Sequence, residues 1–140
     1  MKFNVKDFFS DNQVLLVGYS SKSPHFSHLV YRAFIKGGLK VYPFNTNKNS
    51  KYDIPVINDL KDIINKPSAA CILLKPENTA SIIPLIAEAG IKKILFQSSS
   101  DVTPQILEDC DKLGITYKLA CPLMYYGGFI HKIHGFFAGA

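Results

Sequence analysis

Val14-Leu-Leu-Val-Gly18 runs directly into Tyr19-Ser-Ser-Lys-Ser-Pro-His-Phe-Ser27, and the order of these two pieces decides the fold. An unbroken apolar run with no polar alternation describes a strand buried on both faces, as in a parallel sheet. Gly18 ends that strand. The serine-rich loop then leads into Leu29, Val30, Ala33 and Phe34, which recur at helical spacing. Ser27 or a neighbour is placed to cap the helix, and Gly37-Gly38 stops it. Leu39 to Phe44 forms the next short strand, so the unit reads β-loop-α-β.

The same rhythm continues outward. Asp59 to Ile64 predicts a short helix, Ala69 to Leu74 a third strand, and Glu77 to Ala89 a helix closed by Gly90. Lys93 to Gln97 is a fourth strand. Thr103-Pro104 opens a further helix, as proline is tolerated in a first turn, and Gly114 closes it. Ile115 to Leu119 is a fifth strand, and the segment after Cys121-Pro122 is expected to end in a helix. Phe3 to Phe9 predicts a short helix covering one edge. Strands alternating with helices imply an α/β chain: a single three-layer, doubly wound parallel sheet of about five strands with right-handed crossovers. No repeat or linker divides the chain, so residues 1–140 are expected to form one domain, with an aromatic C-terminal tail over about 122–140.

Composition narrows the class. With 140 residues, 47% hydrophobic and 19% charged, the chain matches a globular domain able to bury a core without staples. Cysteines at 71, 110 and 121 form neither a disulfide framework nor a zinc pattern. No early apolar run suggests a secretory signal, and the uncharged stretch from Leu119 to His131 is too short for a bilayer span. The expected setting is reduced and cytoplasmic.

Sixteen Lys and Arg against eleven Asp and Glu give a net charge of +5, unevenly spread. No acid occurs between Asp11 and Asp53, a window carrying Lys22, Arg32, Lys36, Lys40, Lys48 and Lys51. Such a window suits an anionic partner, although a solvated basic face accounts for it equally well. Nucleic acid is disfavoured, because Arg32 is the single arginine and readers of phosphate and bases lean on arginine.

Ligands of open parallel sheets bind outside the carboxyl ends of the strands, where strand order reverses. That directs attention to Gly18 through Ser27, Phe44-Asn45, Lys75-Pro76, Gln97-Ser98 and Ala120-Cys121. Gly18 lets backbone approach a phosphate, and the next helix offers unpaired N–H groups with a positive dipole end. Ser20, Ser21, Ser23 and Ser27 add hydroxyls and Lys22 a charge. The same residues are also explained by a tight turn and helix capping alone. Two parts of a dinucleotide fingerprint are missing: the glycine triplet, and the acid after the second strand, where Phe44-Asn45 stands. Positive surroundings suit a ribose bearing its own phosphate, as in coenzyme A or, less well, NADP.

Val17-Gly-Tyr-Ser20, the serine-proline loop to Ser27, Tyr42-Pro-Phe-Asn45 and Cys121-Pro122 together resemble the small CoA-binding domain family. These are stand-alone relatives of the N-terminal domain of the succinyl-CoA synthetase alpha subunit. The resemblance extends from about Phe9 to Cys121. It implies a Rossmann-like fold that binds CoA or an acyl-CoA at the carboxyl edge of the sheet, usually with no established enzymatic activity. On that pattern Gly18, Tyr19, Ser20, Lys22 and Ser27 meet the phosphates, with Ser21 beside them. Phe44, Asn45, Lys75, Pro76 and Gln97 line the adenosine and pantetheine path. The chain departs from the family where Thr46 replaces a proline, Phe44 a valine and Ser98 a glycine, changes that narrow or polarise the pocket. An NADP-binding oxidoreductase or redox sensor is the alternative.

The remaining features point less sharply. His131 and His134 share a helical face but lack further zinc ligands. Cys121 lies near the ligand edge, where a thiol could exchange with that of CoA, though a small buried residue is the simpler reading. The tail Tyr125-Tyr-Gly-Gly-Phe129 through Phe136-Phe137 suits sheet-edge cover or a homodimer contact, and membrane contact is not favoured. Neither Gly-x-Ser-x-Gly nor a Gly-x-x-x-x-Gly-Lys phosphate loop occurs, so no catalytic or metal residue is assigned.

Overall fold

The structure, a computed structural model, describes residues 5–124, with side chains over 7–123. Helix α1 (Val5–Phe8) precedes β1 (Gln13–Val17), α2 (Phe26–Lys36), β2 (Lys40–Phe44), β3 (Ala69–Ile72), α3 (Pro76–Glu88), β4 (Lys93–Phe96), α4 (Pro104–Lys112) and β5 (Thr116–Leu119). All four strand pairs are parallel, in the order β2-β1-β3-β4-β5. Chain order reverses between β1 and β3, which puts the switch point beside Gly18. The expected α/β doubly wound sheet is therefore the fold.

Strand side chains alternate between two cores. Leu15, Val17, Ala70, Ile72, Ile94 and Phe96 face α3 and α4. Val14, Leu16, Ala69, Cys71 and Leu95 face α2 and α1. Burial on both faces explains why β3, and β1 after Gln13, are apolar throughout. Pro43 sits in β2 because that strand is an edge, where a missing N–H costs no ladder bond.

Some expectations shift at the boundaries. The helix expected over Asp59 to Ile64 is one 3-10 turn, Leu60–Asp62, because Ile63 is already extended. Asp59 caps that turn, accepting the Lys61 N–H at 3.0 Å. Helix α2 starts at Phe26, and among Ser27 and its neighbours the cap is His25. The first helix covers a sheet face rather than an edge: Phe8 and Phe9 are buried, and the Phe9 ring meets Phe34 of α2 edge-on at 5.5 Å. After β5 a 3-10 turn spans Pro122–Met124. The expected terminal helix, most of the aromatic tail, and His131 and His134 lie outside the described residues.

Candidate functional site

Gly18 leaves β1 with φ of +103°, a region that favours glycine. Space demands glycine as well. A Cβ there would stand 2.7 Å from the Leu73 carbonyl oxygen and 3.0 Å from Cδ2 of Leu74. The close approach brings the ends of β1 and β3 together. The N–H groups of Gly18 and Tyr19 both donate to the Phe44 carbonyl, at 2.9 and 3.2 Å, so they serve the β1–β2 junction.

The loop from Gly18 to Ser27 is held by its own polar groups. Ser20 N–H donates to Ser27 Oγ at 3.0 Å, and Lys22 N–H donates to Ser20 Oγ at 3.0 Å. Ser27 is fully buried, and its N–H donates to His25 Nδ1 at 3.0 Å. His28 Nε2 donates to the Ser20 carbonyl at 2.8 Å. The Tyr19 ring is buried and stacks on His28 with centroids 4.7 Å apart. Its hydroxyl donates to Asp53 Oδ1 at 2.7 Å. Burial, then that hydrogen bond, pushes the Tyr19 phenol above its ordinary pKa. Ser21, Lys22 and Ser23 remain exposed on the rim.

Asn45 ties the second loop to the first. Its amide donates to the Tyr19 carbonyl at 2.9 Å, and its Oδ1 accepts the Asn47 N–H at 2.8 Å. Asn58 donates to the Asn45 carbonyl at 2.7 Å, which closes the wall beside β2.

Two hollows flank the Gly18 crest. On the β2 side, a cavity of about 300 Å³ is lined by Gly18, Phe44, Asn45, Thr46, Leu74, Asn78, Ser81, Ile82 and Leu85. Through Phe44, Thr46 and Leu85 it meets a groove of about 580 Å³ that adds Asn58, Leu60, Lys61 and Lys66. On the β4 side, a cavity of about 310 Å³ is lined by His25, Phe26, Leu73, Leu74, Lys75, Pro76, Gln97, Ser100 and Asp101. The first hollow is apolar with neutral polar groups; the second carries ionisable groups.

The sequence-predicted residues thus divide among three places. Gly18, Phe44 and Asn45 line the β2-side cavity; Lys75, Pro76 and Gln97 line the β4-side cavity. Tyr19, Ser20, Ser21, Lys22 and Ser27 belong to the loop between them, where Tyr19 and Ser27 are interior. Sequence reasoning placed Thr46 at the pocket as a departure from the family, and missed His25, His28, Asn58 and the two acids Asp53 and Asp101. An N-cap position just before a helix was a faint signal for His25. Asp53 and Asp101 arrive from distant segments, so nothing local marks them. Burial pushes the Asp101 carboxyl above the usual carboxylate range, while burial, His28 and Lys22 push His25 below its ordinary value.

Cys71 is buried in β3 and Cys110 in α4, with thiols pushed up by burial, Cys110 to about 11; Cys121 is half-buried. Among the described residues no group of three or more His, Cys, Asp or Glu could hold a metal ion, and no helix is long and apolar enough to cross a membrane.

A family of CoA binding domains matches the chain over residues 12–127. No curated protein matches it. Among solved structures, a conserved hypothetical protein of Pyrococcus furiosus is 20% identical with a TM-score of 0.67, over 76% of this chain and 91% of that one. A hypothetical protein of Pyrococcus horikoshii is also 20% identical, with a TM-score of 0.71 over 86% and 87%. A Thermus thermophilus protein, 16% identical, has a TM-score of 0.70 over 92% and 95%. At these identities the likeness is one of fold.

Proposed function

Because the chain belongs to the CoA-binding domain family, we propose that it holds coenzyme A or an acyl-CoA along the carboxyl edge of its sheet, as a binding module without chemistry of its own. One observation carries this reading: the two unlike hollows either side of the Gly18 crest. A long ligand with a flat heteroaromatic end and a polar amide-bearing arm would use both. Adenosine fits the cavity walled by Phe44, Ile82 and Leu85, with Asn45 and Asn78 supplying polar edges. The pantetheine arm fits the polar hollow of Lys75, Pro76 and Gln97.

The phosphates then lie over the loop between. The loop's N–H groups at Gly18, Tyr19, Ser20 and Lys22 already have partners, so the rim side chains carry the contact. Ser20, Ser21 and Lys22 face the phosphates, with Lys75 opposite, while Ser27 and Tyr19 shape the loop from beneath. The whole chain acts as one domain, and the neutral Asn45 leaves an unphosphorylated NAD ribose without its usual carboxylate partner.

Calorimetric titration with CoA, acetyl-CoA, NADPH and NAD at two salt concentrations tests the proposal. The expected result is micromolar binding of CoA that weakens with salt, with little response to NAD. Lys22→Glu should weaken CoA at least about tenfold at low salt, because like charge then faces the phosphates. Tighter binding of NADPH than of CoA would favour a redox role. Unchanged CoA affinity in Lys22→Glu would take the loop out of the site.

A further inference from the structure

We propose that His25 is a positioning residue for the ligand loop, and that it holds the loop in shape only while its imidazole is uncharged, so that acidification loosens the loop and releases the ligand. The ligand half of this inference rests on the CoA reading; the loop half does not.

The geometry turns on one lone pair. His25 is the N-cap of α2, in extended conformation with φ of −149° and ψ of 151°. Its Nδ1 accepts the Ser27 N–H at 3.0 Å and lies 2.9 Å from Ser27 Oγ. That hydroxyl, fully buried, accepts the Ser20 N–H, and Ser20 Oγ in turn accepts the Lys22 N–H. The turn that seats Ser27 under the loop is therefore capped at an acceptor that exists only on neutral imidazole. Helix caps are ordinarily Ser, Thr, Asp or Asn, whose oxygens still accept at pH 6. Histidine is the side chain whose acceptor becomes a donor in that range. A proton on Nδ1 would occupy the lone pair that the Ser27 N–H uses, donate instead to Ser27 Oγ, and leave that amide without this partner.

His28 has the opposite role. Its Nε2 donates to the Ser20 carbonyl, which an imidazolium does equally well. Protonation of His25 therefore removes the cap of α2 and loosens the loop at Ser27, while the bonds of Ser20 to Ser27 and His28 persist. Around His25 stand His28, with ring centroids 6.2 Å apart, and Lys22, both opposing a positive charge. Lys75 and Asp101 share its cavity wall. Although His25 is exposed overall, desolvation of its ring acts in the same direction as His28 and Lys22, so the folded protein favours the neutral ring. The stabilisation is then complete above the ordinary histidine pKa and disappears as pH falls through the lower folded value. Simple attraction predicts the reverse, since an imidazolium near phosphates would tighten binding.

CoA titrations at pH 7.5 and 5.5 with wild type, His25→Asn and His25→Ala separate these accounts. Asn caps through Oδ1 and does not titrate, so it should retain affinity at pH 7.5. The phosphate of CoA titrates in the same range, and the Asn variant reports that contribution together with every other group except His25. Wild type should lose about fivefold more affinity than His25→Asn on acidification, and His25→Ala should bind weakly at both pH values. Equal pH responses in wild type and His25→Asn, or tighter wild-type binding at pH 5.5, would overturn the proposal. If CoA fails to bind at any pH, the CoA reading falls, and the loop is read directly by NMR of the free protein. The Ser20 and Ser27 amide resonances should then move with one pKa below the ordinary histidine value in wild type and stay fixed in His25→Asn. Amides indifferent to pH in both proteins would sink the loop half as well.

Discussion

The side-chain amide of Asn45 donates to the backbone carbonyl of Tyr19 at 2.9 Å, joining the end of β2 to the loop that follows β1. A carboxylate at this position, the residue a dinucleotide-binding sheet would use, could not make that bond. Asn45→Asp sets an acceptor against the Tyr19 carbonyl while keeping the contact to the Asn47 N–H. The variant should lose about 1–2 kcal/mol of stability in urea denaturation, bind CoA more weakly, and gain no affinity for NAD. Gain of NAD binding without loss of stability would show that the tie is dispensable.

Gly18 tolerates no side chain. In Gly18→Ala the Cβ meets backbone, the Leu73 carbonyl, which cannot swing aside as a flexible side chain would. Positive φ adds strain. Together these should destabilise the fold by roughly 2–4 kcal/mol, measured as a lower urea midpoint with an unchanged m-value. CoA affinity should fall in parallel, because the crest between the two hollows shifts.

Tyr19 makes stability sensitive to alkali. Its phenol is raised above the ordinary value of 10, so the neutral form is favoured in the folded protein. That stabilisation is complete below pH 10 and disappears as pH rises beyond it. Thermal melting of wild type should therefore fall between pH 9 and 11 more steeply than that of Tyr19→Phe. At pH 7 Tyr19→Phe should be less stable by about 1–2 kcal/mol, because Asp53 loses its donor.

The three thiols differ in reach. Cys71 and Cys110 are buried, with pKa values raised by burial, so they stay protonated and shielded at pH 8. Alkylation of the native protein at that pH should label Cys121 first, read by peptide mass spectrometry. Prior incubation with CoA should slow the labelling if the ligand's arm extends toward Ala120-Cys121. Equal labelling of all three thiols would mean that the core opens faster than the reagent reacts.

Much of the fold was legible because its signals are local. Val14 to Val17 are apolar without alternation, and the strand they form is buried on both sides. Pro104 in a first turn and Gly114 past a last turn mark α4, where Thr103 caps by accepting the Ile106 N–H at 3.2 Å. Reading failed where a segment was too short to sustain its pattern. Asp59 to Ile64 has a capping aspartate and apolar spacing, but Ile63 turns extended after one 3-10 turn. The cap of α2, expected at Ser27 or a neighbour, is His25, because a histidine can accept through Nδ1, an option residue type alone does not reveal.

The sequence by itself determined the alternation of strands and helices, the parallel sheet that follows from it, and the edge where a ligand would lie. Those follow from hydrophobic periodicity and turn chemistry, which act over a few residues. Only the tertiary structure decided which polar groups at that edge are free. The Tyr19 hydroxyl, open as far as the sequence shows, is taken by Asp53, 34 residues away. Ser27 looked like an exposed donor until Ser20 and His25 enclosed it. The acid-free window from Asp11 to Asp53 ended in space at Asp53 beneath the loop and Asp101 in the neighbouring cavity. Hydrogen bonds and charges act across whatever distance the chain folds back, so their partners are set by the fold and not by proximity in sequence.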